Sequence, residues 1–253
     1  DGTSRFGEDN RWGNFPAAAF AWKLKEEFFK DSNTVSDFKL RLGWGITGQQ
    51  DIGENNADDW LQVIQTGTND SQYYFGPLLF PLAISQYYNP LIKWEETTTY
   101  NAGIDFGLNN RINASIDVFY KLSEDLLIPA AVADGSNFSN AGYQNIGDMS
   151  TKGIEVGISA DIIKKEKVNW NVSLNFTKFE RRIEELALDN DIYVNGGFGG
   201  TGTTVAIHRE SYTPNSFYLY KQLYDTAGNP DGGAFAELGG DGIRVNCVVP
   251  GAV

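Results

Sequence analysis

The amino-acid sequence predicts an all-β protein, an antiparallel up-and-down meander of long strands. Three observations predict it: apolar and polar residues alternate with period two, the alternating runs are long, and the connections between them alternate between short and long. Successive side chains of a strand point to opposite faces, so alternation gives each segment one apolar face and one wet face. Phe38, Leu40, Leu42, Trp44 and Ile46 alternate with Lys39, Arg41, Gly43 and Gly45. Tyr100, Ala102, Ile104, Phe106 and Leu108 alternate with Asn101, Gly103, Asp105 and Gly107, and Ile112, Ala114, Ile116 and Val118 with Asn113, Ser115 and Asp117. Ile154, Val156, Ile158, Ala160 and Ile162 interleave with Glu155, Gly157, Ser159 and Asp161, and Trp170, Val172, Leu174 and Phe176 with Asn171, Ser173 and Asn175.

About seven strands are expected. The first spans residues 15–25 and the second 37–47. Asn89-Pro90 breaks the loop before the third, 94–108, which Thr97, Thr98 and Thr99 start with β-branched residues. Asn109-Asn110, a pair that tolerates positive φ, turns the chain into the fourth, 111–127. The fifth, 149–162, and the sixth, 168–182, flank the tight charged turn Lys164-Lys165-Glu166-Lys167. Gly147, Gly153 and Gly157 are read as places where the wall packs closely or bends. The seventh spans 216–224.

A soluble sandwich also alternates, so length and turn asymmetry carry the membrane reading. A membrane-spanning β-strand needs about 9–11 tilted residues, whereas soluble strands usually have about 5 or 6. The runs 94–108 and 111–127 exceed the soluble norm. Short turns at one end, and polar connections over 48–93, 129–147 and 184–210 at the other, fit a transmembrane β-barrel with periplasmic turns and extracellular loops. The formal net charge of −13 and mean hydropathy of −0.34 fit as well, since half of every such strand faces a wet lumen. No apolar run approaches the roughly 18 residues of a spanning helix. Trp94, Tyr100, Tyr120 and Trp170 sit near strand ends, either as an aromatic girdle at the lipid headgroups or as ordinary strand residues. The acidic balance argues against a nucleic-acid partner, and Cys247, the single cysteine, allows neither an internal disulfide nor a cysteine metal cluster. The chain starts at Asp1 without an export signal, and bacterial single-chain barrels have an even number of strands from about 8 upward. An incomplete barrel is therefore expected.

Five motifs carry a family resemblance. RFGEDNRWGNFPAAAFAWKLKEEFF (5–29), DFKLRLGWGITGQQDIG (37–53), NPLIKWEETTTYNAGIDFGLNNRINASIDVFYK (89–121), NIGDMSTKGIEVGI (145–158) and NSFYLYKQLYDTAGNPDGGAF (215–235) resemble, in order and spacing, SusC/RagA-type TonB-dependent outer-membrane transporters. The resemblance covers residues 1–235. It implies a piece of the C-terminal half of a barrel of roughly 22 strands, with plug and TonB box outside this chain. It further implies active import of oligosaccharides or peptides beneath a SusD-like surface lipoprotein, energised through TonB, in the outer membrane with lipid around the wall.

Other signals point elsewhere. AFAELGGDGIRVNCVVPGAV (234–253) resembles the late strand and Pro-Gly loop of short-chain dehydrogenases/reductases, so residues 236–253 are read as a reductase-like tail of uncertain origin. That family also needs a Tyr-x-x-x-Lys pair, and none of the twelve tyrosines has a lysine four residues later. Gly197, Gly199 and Gly202 match G-x-G-x-x-G, but Thr203-Thr204-Val205-Ala206-Ile207 follows, a poor helix start for a dinucleotide loop. His208, the sole histidine, stands beside Arg209, Glu210 and Ser211 without the partners of a hydrolase triad. The acidic stretches 51–54 and 184–191 lack EF-hand spacing and are read as solvated loop charge.

No catalytic, cofactor-binding or metal residue is therefore expected, and no cofactor. The wet-face residues Asn101, Asp105, Asn113, Asp117, Asn171 and Asn175 are expected to line the lumen, with the substrate-touching ones unassigned. Two alternatives remain open at this point: a short-chain reductase, carried only by the last stretch, and a soluble β-rich glycan-binding module.

Overall fold

The computed structural model describes residues 1–53, 59–66, 72–81, 83–85, 87–132, 141–186, 192–194, 206–218, 220–224 and 226–237. The tail 238–253, Cys247, the glycine cluster 195–203, and Glu54 and residues 187–191 of the two acidic stretches lie outside the described residues. The chain divides into two compact units, Asp1–Glu180 and Arg181–Val253.

In chain order the elements are β1 (Ala17–Trp22), α1 (Leu24–Phe28), β2 (Val35–Gln49), β3 (Ile64–Thr66), β4 (Gln72–Phe75), β5 (Leu78–Pro81), β6 (Ala83–Ser85), β7 (Glu95–Leu108), β8 (Ile112–Glu124), β9 (Leu127–Ala131), β10 (Ala141–Asn145), β11 (Asp148–Lys165), β12 (Val168–Glu185), β13 (Ile192–Val194), β14 (Ala206–His208), β15 (Ser216–Phe217), β16 (Tyr220–Tyr224) and β17 (Pro230–Glu237). Six of them form one sheet in the order β1-β2-β7-β8-β11-β12, so each strand lies beside the next long strand of the chain. This is the expected antiparallel meander, and it does not close on itself.

The register follows from the alternation. Leu40, Ile104, Ile116 and Val156 stand in one row across β2, β7, β8 and β11, and Arg41, Gly103, Asp117 and Glu155 stand in the next. A slip of one residue would mix the two faces, so the pattern specifies the pairing. Asn109 and Asn110, both at φ 51°, lie at the centre of the three-residue connection between β7 and β8, where the Arg111 N–H donates to the Leu108 carbonyl at 2.9 Å, one residue longer than the two-residue turn expected.

Three expectations need correction. The first strand stops at Trp22, because Leu24–Phe28 winds into a helical turn that Trp22 holds: its indole donates to Glu27 Oε1 at 2.9 Å and its ring meets Phe28 edge-on at 5.7 Å. The seventh strand is two elements, β15 and β16, which pair with different neighbours. The polar connections are not plain loops either, since 64–85 holds the hairpins β3–β6 and β4–β5 and 127–145 holds β9–β10.

The fully buried side chains of the first unit are not in the sheet. Phe6, Ile52 and Ile92 have no exposed surface, and with Trp94 they form a core against which Phe15, Trp60, Leu127 and Tyr143 pack. All come from the N-terminal segment and the long connections, so the core is a knob at the long-connection end. Trp94, expected at the lipid interface, is buried here. Phe6 and Phe15 meet it edge-on at 5.6 and 5.1 Å, and its indole donates to the Arg11 carbonyl at 3.3 Å. Asn145 ties the knob together: its amide donates to the carbonyls of Lys93 and Asp125, each at 2.9 Å, while its Oδ1 accepts the Lys93 N–H at 2.9 Å.

Within Arg181–Val253, β13, β14 and β15 form a three-stranded sheet, and β16 pairs with β17. Ile183 exchanges backbone hydrogen bonds with the turn at Ser211 and Tyr212.

Candidate functional site

The two faces of the six-stranded sheet differ as the sequence predicts. On one face the long side chains are turned out to solvent: Tyr100 is 52% exposed, Val118 48% and Leu174 64%. A contiguous exposed apolar face of this extent marks a surface built to meet lipid or another partner. Among the described residues no helix is long and apolar enough to cross a membrane. Trp44, Tyr100 and Tyr120 form one row of this face toward the long connections. These aromatics, not Trp94, stand where a headgroup girdle belongs.

The opposite face is polar and partly paired. Arg41 lies at its centre, donating to Asp105 through Nε at 3.0 Å and Nη2 at 2.8 Å, and to Asp117 through Nη2 at 2.8 Å. Asp117 is two strands away, in the row Arg41–Gly103–Asp117, and the guanidinium reaches it only because Gly103 between them has no side chain. A Cβ at Gly103 would collide with Asp117 Oδ1 and come within 2.9 Å of Arg41 Nη2. Lys39 adds a longer contact to Asp105 at 3.9 Å. The forked geometry of guanidinium and carboxylate makes this a rigid, neutralised patch.

Toward the short-turn end the same face carries a hydrogen-bonded ladder of amide, hydroxyl and carboxylate. The Asn171 amide donates to Ser159 Oγ at 3.2 Å and Asp161 Oδ1 at 2.9 Å, and the Ser173 hydroxyl donates back to Asn171 Oδ1 at 3.2 Å. Between ladder and guanidinium lies an open hollow of about 400 Å³ bordered by Asp37, Asp105, Asn113, Ser115, Ser159 and Asn175. A second, of about 380 Å³, sits where Ala17, Ala19, Gly43 and Gly45 leave the wall bare beside Thr99 and Asn101. Such surfaces offer donors and acceptors to a polar solute, with no nucleophile beside a base. Among the described residues no cluster of three or more His, Cys, Asp or Glu could hold a metal ion.

All six residues assigned to the wet face from sequence stand on it. Asp105 and Asp117 serve Arg41, Asn171 bridges strands, Asn113 and Asn175 border one hollow, and Asn101 borders the other. Sequence reasoning missed Phe119, an aromatic side chain on the polar face. It lies opposite Gly153, where a Cβ would come within 2.6 Å of its ring, and covers the backbone that glycine leaves bare. The signal was present in the odd numbering of Phe119 within β8 and a glycine across the register. Lys121 Nζ caps the Phe119 ring at 5.5 Å from its centroid. His208 belongs to β14, where its Nδ1 accepts the Asn215 N–H at 3.4 Å and burial pushes its pKa below the ordinary value.

Comparison with known proteins agrees with this architecture. A family model described as "TonB dependent receptor-like, beta-barrel" matches residues 1–239. The TonB-dependent receptor SusC of Bacteroides thetaiotaomicron is 43% identical over 249 residues, covering 96% of this chain and 25% of that protein. The TonB-dependent receptor P39 of Formosa agariphila is 35% identical over 240 residues, covering 92% and 21%. Among solved structures, the RagAB peptide importer in its closed-closed state superposes with a TM-score of 0.73 at 26% identity, covering 90% of this chain and 25% of that one. The chain thus spans about a quarter of the length of these relatives. TonB-dependent receptors are transporters and not enzymes, so the reductase-like signals carry no activity of the family. An apolar outer face, a partly paired polar inner face and the sequence match lead to one assignment: the chain belongs to the SusC/RagA-type TonB-dependent receptors, as part of their outer-membrane β-barrel.

Proposed function

We propose that this chain is a wall segment of an active importer that takes up oligosaccharides or peptides too large to diffuse, beneath a SusD-like surface lipoprotein and energised through TonB. The observation that carries the reading is the division of the sheet: one face exposes apolar side chains for lipid, and the other holds the Arg41 charge cluster beside a hollow bordered by carboxylates, hydroxyls and amides. Arg41 and Lys39 offset Asp105 and Asp117, so at this point the lumen wall presents hydroxyls, amides and backbone to a passing solute with its central charges paired. The relative named as a peptide importer and the receptor SusC support the same class of work. We assign residues 1–235 to the barrel segment, of which the strand β17 runs on to Glu237, and infer that the reductase-like stretch 236–253 binds no nicotinamide cofactor. Calorimetric titration with NAD and NADP is the check on the tail, and saturable micromolar binding would overturn that assignment.

The test of function is uptake by cells. Deleting the complete gene is expected to abolish accumulation of a labelled oligosaccharide or peptide substrate found by growth screening. The intact gene should restore it only where TonB and the neighbouring surface lipoprotein are present. Undiminished, TonB-independent uptake across the screen would overturn the proposal.

A further inference from the structure

The aromatic row of the lipid-facing side does not end on an aromatic. Trp44 pairs with Tyr100, Tyr100 with Tyr120, and Tyr120 with Lys152, so a lysine stands at the height of the girdle on the same outward face. On the neighbouring strand Glu180 contacts it at 3.5 Å, with the Lys152 and Glu180 side chains 64% and 39% exposed. This contact and the Asn171–Asp161 bond fix the local pairing of β11 with β12 and place Lys178 beside Ile154, one row nearer the membrane centre. Lys178 follows Val172, Leu174 and Phe176 on the apolar face, and among the described residues it has no ion-pair partner.

A lysine in an apolar outward row is costly unless its amine reaches the interface and meets an anion there. Glu180 pairs with Lys152, and Lys178, two residues before it on the same face, adds a second cation to this region. The phenols of Tyr100 and Tyr120 stand in the same row as Lys152. Amines and hydroxyls at headgroup height, above an apolar wall, match a phosphate monoester on a lipid. The long connections lie at this end of the sheet, and in outer-membrane barrels they face outside, so the leaflet concerned is the outer one.

We propose that Lys152 and Lys178, with the Tyr100 and Tyr120 hydroxyls, form a binding position for the phosphorylated headgroup of an outer-leaflet glycolipid. The inference rests on the reading of the chain as part of an outer-membrane barrel, and not on what that barrel imports. It holds one lipid against the wall at the level where the long connections begin.

The experiment uses the full-length protein carrying this segment, inserted in detergent micelles and titrated with a bis-phosphorylated lipid A-type glycolipid, bound lipid being counted by native mass spectrometry. Heat-modifiable electrophoretic mobility checks barrel folding separately, so failure of the barrel reading shows there and not in lipid counts. The double variant K152Q/K178Q is expected to weaken binding roughly twenty-five-fold, about fivefold for each lysine. K152R/K178R should retain binding, and K165Q, at the short-turn end, should leave it unchanged. The dephosphorylated glycolipid, a zwitterionic phospholipid and inorganic phosphate alone are each expected to bind wild type far more weakly. Equal binding of the dephosphorylated lipid or of free phosphate would overturn the proposal. So would unchanged binding in a folded K152Q/K178Q variant, or an equal loss in K165Q.

Discussion

Gly103 shows how a missing side chain can build a site. The bridge from Arg41 to Asp117 crosses β7 at the one position where nothing stands in the way. Gly103→Ala should displace the guanidinium and cost about 1–3 kcal/mol through steric crowding. Gly43→Ala, on the same face with only the Asn101 Cβ at 3.8 Å, should stay within about 0.5 kcal/mol. Urea unfolding of the full-length barrel checks this, and equal effects would mean that Gly103 is not a passage. His208 makes a second prediction. Its free imidazole titrates near 6.5, burial lowers that value in the folded chain, and its Nδ1 is engaged as an acceptor from Asn215. The folded state therefore disfavours the proton, so the stability contributed by a neutral ring is fully present above about pH 6.5 and is lost as pH falls through the lower folded-state value. Amide exchange around β14, corrected for intrinsic rates, should speed up between about pH 7.5 and about pH 5 in the wild type. His208→Gln should flatten that response.

Each long strand carries two surfaces with opposite tasks. In β12 the side chain of Asn171 hydrogen-bonds to Ser159 and Asp161 on the polar face, which puts Val172 and Leu174 on the other. Arginine at Val172 is expected to cost roughly 2–4 kcal/mol if the position lies near the bilayer midplane, and arginine at Asn171 much less. Folding of the full-length protein into lipid vesicles, followed by denaturant titration, measures the difference, and equal tolerance would contradict the facing. The connections behave differently from the strands. Residues 48–93 were expected to be a polar loop, yet hairpins form within them, because a long connection gains by satisfying its own backbone hydrogen bonds.

For the first compact unit as a whole, the knob ties the N-terminal segment and two long connections to the end of the sheet. Burying Phe6, Ile52, Ile92 and Trp94 is favourable to the extent that apolar area leaves water, and the two edge-on aromatic contacts add about 0.5–1.5 kcal/mol each. Trp94→Ala should cost about 3–5 kcal/mol. Limited proteolysis should then cut the long connections while the spanning strands stay protected. Cleavage within the strands at the same rate would show the knob and the wall to be one cooperative unit.

Period-two alternation by itself determined which residues share a face of each long strand, because strand geometry leaves only two directions for a side chain. It likewise determined the tight turn at Asn109-Asn110, where local φ preferences suffice. Sequence order alone also made neighbours of β7 and β8 and of β11 and β12, since a short turn leaves an antiparallel partner as the nearest choice, whereas β2 meets β7 and β8 meets β11 across long connections. Tertiary structure decided the rest. Trp94 read as an interfacial aromatic and became a core residue, because its fate depends on Phe6 and Phe15, which are distant in sequence. Arg41 is neutralised across three strands, and Phe119 covers Gly153, only because the register brings those rows together. Alternation assigns a side chain to a face, whereas its partner on that face is set by strands folded from far along the chain.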